Sequence, residues 1–389
     1  MKNNKQVVFD IILSAFTSKK SRYSDEKCNP EKLYEFFKSQ KIVPVLYKAA
    51  LLNKKFFQNE CFEKIKKEYK KSLFRQTLQD SEKKIIKAYF EENEIPYIVL
   101  KGDNIRKLYP AEDMRQSMDI DFMVRSVDYT KACEILKKLD FEYESETQYH
   151  TSFKKKPMVN VELHTMLCDP KLVVGFEKEF DVWNSAHKKS ENSFEYELSN
   201  EDLYIYMLAH FAQHMMSSGA GLRCIIDLYL IIQKYGSEFD NDYLNERLNR
   251  FGFSKLAYAC FEAGQIIFLK KTCENEQQVR FIDYLFDCGY TGTSENVRVL
   301  RIIEAGGKKS EIRRKTLPGR DAMQRQYPII KKYKFLLPFC HALRIIKKSG
   351  KVFSFAKRIK TISKTNEEKI KKTSELYDYL GLEVYKGDS

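Results

Sequence analysis

The residues with the clearest chemistry lie in the run Met118-Asp119-Ile120-Asp121-Phe122-Met123-Val124. Acidic and apolar residues alternate there, which is the period of a strand with one face in a core. Asp119 and Asp121 then share one face, roughly 7 Å apart along the strand. Met118, Ile120, Phe122 and Val124 take the other face. Two carboxylates facing the same way repel unless something neutralises them. A divalent cation does so, and hard oxygen ligands suit Mg²⁺ or Mn²⁺. The run Met158-Val159-Asn160-Val161-Glu162-Leu163-His164 repeats the alternation, with Asn160, Glu162 and His164 on its polar face. If the two strands are neighbours, Glu162 joins the two aspartates. Three such acids can hold two metal ions, which activate a hydroxyl and stabilise departing phosphate oxygens. A third element, Leu100-Lys101-Gly102-Asp103, ends a strand and begins a helix. Backbone N–H groups at such a turn cradle phosphate, and Lys101 and Arg115 can add cationic contacts to a triphosphate.

These residues need a scaffold. Residues 1–92 read as helical, with Val7, Val8, Ile11, Ile12 and Phe16 at helical spacing and a long Lys-rich stretch near residues 62–94. Strand signals begin at Ile95. Residues 95–165 alternate strand and helix as a small α/β unit, with a strand before Gly102 and a short helix, Asn104 to Tyr109, capped by Asp103 and stopped by Pro110. Phe141–Glu146 and Gln148–Lys155 read as a hairpin. From Asn200 the helical period returns in Glu201–Met216 and again in Leu222–Tyr235, the first capped by Ser199 or Asn200 and the second ended by Gly236. The expected organisation is an N-terminal helical region over 1–92, a catalytic core over 93–198, a helical domain over 199–300 and a basic helical segment over 301–389.

Other features have plainer readings. His210 and His214 share a helix face at the spacing of a zinc pair, but the intervening residues lack the Glu of a zinc-protease site, so a core or capped pair is expected. Arg223 and Asp227, four apart on a helix, read as an ion pair. The nine cysteines, Cys28 among them, include no CxxC spacing, which excludes a zinc ribbon and a thioredoxin motif. No apolar run is long enough to span a membrane and no signal peptide is legible, so a reducing cytoplasm is the expected location.

The net charge of +14 is localised. Residues 301–389 carry 23 Lys and Arg against 9 Asp and Glu, and residues 1–300 are balanced. Such a segment attracts polyanions. Its apolar residues Phe335, Leu336, Leu337, Phe339, Leu343, Ile345 and Ile346 are expected to pack inward with the basic side in water, rather than to form a membrane-surface helix.

Taken in order, the strand–Gly–helix turn, the Asp-x-Asp strand and the later acid resemble the DNA polymerase beta-like nucleotidyltransferases. More narrowly, YIVLKGDNIRKLYP with MRQSMDIDFMV, VELHTML, LAHFAQH with LRCIIDLYLII, and YPIIKKYKFLLPFCHALRIIKK look like a poorly characterised bacterial nucleotidyltransferase family, over about residues 90 to 350. The resemblance implies an α+β fold: a small mixed sheet with flanking helices, extended by N- and C-terminal helical regions. It implies metal ligation by Asp119, Asp121 and Glu162, and nucleotide-phosphate contacts at Lys101, Gly102, Arg115 and Ser117. Beside their plainer structural readings, His164, His210, His214 and Arg223 are the candidates for substrate contact. Asp103 stands where the superfamily carries Ser or Gly, so its carboxylate must turn away from phosphate, as a helix cap would.

The implied reaction is Mg²⁺-dependent transfer of a nucleoside monophosphate from an NTP, such as ATP, to an acceptor hydroxyl or phosphate, with release of pyrophosphate. The acceptor and the base preference are not legible. Two alternatives are a glycosyltransferase using Asp-x-Asp with Mn²⁺ and an NDP-sugar, and a non-catalytic, antitoxin-like module that binds nucleotide or nucleic acid through the basic segment.

Overall fold

The computed structural model describes residues 2–20, 29–57, 59–173, 175–349 and 352–383; Cys28 lies outside the described residues, as do the side chains of Ile345 and Ile346. The chain divides into two compact units, Met1–Met215 with Gly219–Gly292 and Met216–Ser218 with Thr293–Ser389.

The first unit is built on a seven-stranded mixed sheet: β1 Tyr97–Val99, β2 Ile120–Val124, β3 Glu142–Glu146, β4 His150–Lys155, β5 Val159–His164, β6 His187–Lys188 and β7 Glu195–Glu197. Their order across the sheet is β3-β4-β5-β2-β1-β7-β6. The apolar faces read from the sequence make its core. Ile120, Phe122 and Val124 of β2 and Val159, Val161 and Leu163 of β5 pack with Tyr97, Phe153 and the helix residues Ile86, Phe90, Ile135 and Leu136. The helix Asn59–Glu92 is a single element that lays Ile86 and Phe90 on this face. The β3–β4 hairpin forms as expected. Two short strands escaped the sequence reading. Neither His187–Lys188 nor Glu195–Glu197 has an apolar alternation, and β7 exists by pairing in parallel with β1.

Two local expectations are corrected. The helix after the Lys101 turn runs over Gly102–Arg106, and no side chain caps it. Asp103 lies inside its first turn and is held instead by Lys83 and Arg106. The reason is that Arg106, one turn along, and Lys83, from the helix Asn59–Glu92, both reach it, and an ion pair displaces a weaker cap. Met118 precedes β2 rather than joining its core face, and its thioether takes a guanidinium N–H of Arg75 at 3.3 Å.

The helix Asn200–Ser217 is capped by Ser199, whose Oγ accepts from the Asp202 N–H at 3.1 Å. The helix Leu222–Tyr235 begins at a crowded point. Gln40 is fully buried there; its Oε1 accepts from the Leu222 N–H at 2.8 Å and its Nε2 donates to the Leu285 carbonyl at 3.0 Å.

The second unit is helical. Met323, Ile330 and Cys340 form one small core cluster in it, with Tyr327, Leu336 and Leu337 against them. Arg344 donates to the Thr316 and Lys315 carbonyls at 3.1 and 3.2 Å and so closes the C-terminus of the helix Lys308–Thr316. The expectation that this segment's apolar residues pack inward holds for Leu336 and Leu337. It fails for Phe335 and Phe339, which are 77% and 61% exposed, because the inward positions are already filled. Among the described residues, no helix is long and apolar enough to cross a membrane.

Gly221 fixes the crowded helix start. A Cβ there would lie 2.8 Å from the Gly289 carbonyl carbon and would meet the Gln40 amide oxygen. Gly221→Ala should therefore destabilise the protein by about 1–3 kcal/mol through overpacking. Chemical denaturation followed by circular dichroism checks this; an unchanged midpoint would show that the close approach relaxes freely.

Candidate active site

Register brings the acids together. β2 and β5 are parallel neighbours, and Asp121 stands opposite Glu162. Side chains two apart share a face, so Asp119, just ahead of β2, joins them. Oxygens of Asp119, Asp121 and Glu162 lie within 4.8 Å of one another. His150, Glu162 and His164 meet the same test, with His150 opposite His164 across the β4–β5 pairing.

Two cations compensate part of this charge. Lys101, at the end of β1, reaches Asp121 Oδ1 at 3.2 Å. His164 Nε2 lies 3.3 Å from both Asp121 Oδ1 and Glu162 Oε2, and its Nδ1 lies 3.3 Å from the Met166 carbonyl. All three of its partners only accept, so both ring nitrogens carry protons. Burial disfavours the imidazolium, but hydrogen bonds to Asp121 and Glu162 outweigh that and raise its pKa above the ordinary histidine value. Burial likewise opposes charge on Lys101, and Asp121 outweighs it, holding the ammonium well above the usual lysine range. Asp121 is buried too, yet Lys101 and His164 hold its carboxyl below the usual range.

Asp119 is the exception. Burial, then the neighbouring Asp121, pushes its pKa up to about 6. Among the described residues, no hydrogen bond or ion pair reaches it. The three carboxylates therefore keep a residual negative charge centred on Asp119, and that hard oxygen donor set fits Mg²⁺ or Mn²⁺.

Beside the acids is the turn that begins at Lys101. Gly102, Ser117, Asp119 and Asp121 line one cleft. A Cβ on Gly102 would be 3.8 Å from Ser117 Oγ, so the bare backbone and the hydroxyl face the same space. Asp103 also lines this cleft, with Lys83 and Arg106 on its carboxylate.

Arg115 is placed differently from a residue open to ligand. It is 4% exposed, and its Nε and Nη2 donate to the two oxygens of Asp227 at 2.9 Å each. Tyr109 donates to the same carboxylate at 2.7 Å. Only Nη1 turns toward the cleft, donating to Ser117 Oγ at 3.2 Å. The expected Arg223–Asp227 pair is thus replaced. Asp227 serves Arg115, and Arg223 donates to the Gln116 carbonyl at 2.7 Å. The fork of Arg115 meets the Asp227 carboxylate bidentately, the stronger geometry for such a pair.

The helix Asn200–Ser217 supplies the wall over the acids. His210 Nε2 accepts from the Lys101 ammonium at 2.9 Å, so the ring is neutral; burial, then Lys101, holds its pKa well below the ordinary value. His214 packs edge-on against His210 at 4.5 Å, and burial, then Lys101, lowers it to about 4. Spacing alone missed several residues here. Tyr206 is fully buried, with no hydrogen-bond partner for its hydroxyl among the described residues. Arg75, which donates to Met118, and Tyr290, whose ring lies under the Arg223 guanidinium, come from segments far away in sequence, and no local pattern marks them.

Residues 26–268, more than half of the chain, match a protein-family model described as "Uncharacterised nucleotidyltransferase", and the chain belongs to that family. No curated protein and no solved structure matches it.

The Arg115–Asp227 pair is one of the contacts that fix the loop before Asp119. Asp227→Asn leaves a buried guanidinium without its counter-charge, which costs about 3–5 kcal/mol. Denaturant unfolding should show a loss of that order. A change within roughly 0.5 kcal/mol, the range of an ordinary surface substitution, would show that the pair does not fix the loop.

Proposed function

We propose that this member of the nucleotidyltransferase family moves a nucleoside monophosphate from an NTP to an acceptor hydroxyl or phosphate and releases pyrophosphate. The observation that carries the reading is the meeting of three carboxylates from two parallel strands beside a strand–Gly–helix turn. In the reaction an acceptor oxygen bonds to the α-phosphorus, the α–β bridging P–O bond breaks, and pyrophosphate takes the electron pair. Asp119, Asp121 and Glu162 would hold the divalent ions. Bound there, such ions supply Lewis acidity toward the attacking and departing oxygens.

The chain's own residues have distinct tasks in this reading. Gly102 N–H and Ser117 Oγ hold phosphate oxygens, and Lys101 adds positive charge beside them. Arg115 is a positioning residue that orients Ser117. Glu162, kept ionised by His164, takes the proton of the acceptor hydroxyl. His164 also sets the rotamer of Asp121, and His210 does the same for Lys101. The ion pairs of Asp103 with Lys83 and Arg106 keep its charge from repelling the triphosphate. The basic residues of 301–389 offer a polyanion contact.

A thermal-shift panel tests this without knowledge of the acceptor. It compares ATP, GTP, CTP, UTP and NDP-sugars with Mg²⁺, Mn²⁺ or EDTA. A ligand at 100 times its Kd stabilises by about 2.7 kcal/mol. An NTP with Mg²⁺ should raise Tm, and EDTA or Asp119→Ala with Asp121→Ala should abolish the shift. A shift with NDP-sugars alone would contradict the reading and favour glycosyl transfer.

A further inference from the structure

Buried cations in the first unit are as a rule matched by acids. Arg115 has Asp227, Arg106 has Asp80, Lys83 has Asp80 and Asp103, and Lys101 has Asp121. The buried Arg223 and the half-buried Arg75 and Lys41 break this rule.

Arg223 is 5% exposed. It spends one N–H on the Gln116 carbonyl, its guanidinium lies 3.7 Å over the Tyr290 ring, and its Nε has no hydrogen-bond partner among the described residues. Arg75 gives an N–H to the Met118 thioether, a weak acceptor. Both guanidiniums therefore rest on the loop 116–118, directly ahead of Asp119.

Lys41 is brought to the same place by its neighbours. Gln40 bonds the Leu222 N–H, one residue from Arg223, and Ser39 accepts from the Tyr290 N–H at 3.0 Å. Burial, then Arg75, with Arg223 adding to it, lowers the Lys41 pKa; Glu68 opposes this. Among the described residues, no ion pair joins any of the three to a carboxylate. Glu68 acts on Lys41 and Asp119 on Arg223 without an ion-pair contact; like charges gathered with no acid in contact are costly, and a bound anion removes the cost.

We propose that Lys41, Arg75 and Arg223 form a phosphoryl-binding subsite beside Asp119. Two planar forks and an ammonium suit the several oxygens of a phosphoryl group. The Tyr290 ring holds the Arg223 fork in place. The subsite deepens the nucleotidyl-transfer reading and rests on it for its role. Its phosphoryl group belongs either to the triphosphate tail of the donor or to an acceptor that itself carries phosphate.

Calorimetric titration of the full chain tests the subsite with inorganic pyrophosphate, tripolyphosphate and the NTPs, with EDTA and with Mg²⁺. Lys41→Gln and Arg75→Gln sit at half-buried positions and keep the fold testable by their unfolding midpoints; Arg223→Lys keeps the charge and removes the fork. Each should weaken pyrophosphate binding in EDTA by about tenfold, the loss of one charge-assisted contact. Asp119→Asn should bind pyrophosphate in EDTA at least as well as wild type.

A parallel loss of NTP affinity assigns the subsite to the donor tail. Pyrophosphate binding that weakens while NTP affinity holds assigns it to an acceptor phosphate. Wild-type binding of pyrophosphate, tripolyphosphate and NTP no tighter than that of a folded Lys41→Gln/Arg75→Gln double variant overturns the proposal. Cation-dependent pyrophosphate binding without NTP binding under any metal would keep the subsite and reject the nucleotidyl reading.

Discussion

Asp121 and Glu162 face each other across parallel strands, and Asp119 adds a third carboxylate within 4.8 Å. Two like charges about 4 Å apart repel by roughly 4 kcal/mol at an effective dielectric of about 20. The fold accepts this by compensating unevenly. Lys101 and His164 hold Asp121 from two sides, and His164 also serves Glu162. Asp119 is left with its pKa near 6. A site with that residual charge attracts a cation rather than closing on itself. The same uneven charge explains why the neighbouring histidines differ. His164, beside the acids, has its pKa raised by them; burial and Lys101 lower those of His210 and His214.

The sheet cannot set this geometry alone, because Asp119 lies before β2 begins. The loop ahead of it is anchored from the helix Leu222–Tyr235. Asp227 grips Arg115, Arg223 grips the Gln116 carbonyl, and Gly221 and Gln40 fix where that helix starts. The helix Leu222–Tyr235 therefore belongs to the construction of the candidate site and does more than cover it.

The sequence made the sheet legible where its apolar period was strict. The alternation in residues 118–124 and 158–164 revealed both acidic faces, and the parallel neighbouring of β2 and β5 turned two patterns into one cluster. Period-2 reasoning has no hold on Met118, which sits where the strand has not begun, or on β7, which is charged and three residues long. Side-chain partners were less legible. Arg115 looked like a phosphate ligand because an arginine near an acidic strand is ambiguous in one dimension. Asp227 resolves its place, from more than one hundred residues away. Lys41 and Arg75 carry no local signal, since lysine and arginine are common on helix surfaces. Only the fold shows that, among the described residues, no carboxylate forms an ion pair with them.

The most direct test of this account is Mn²⁺ titration followed by electron paramagnetic resonance, because it reads the three-carboxylate site without donor or acceptor. The account predicts saturable Mn²⁺ binding by the wild-type chain, competed by Mg²⁺ and lost in Asp121→Asn while the unfolding midpoint shows a folded protein. Mn²⁺ binding that is absent from the wild type, or undiminished in folded Asp121→Asn, would contradict it.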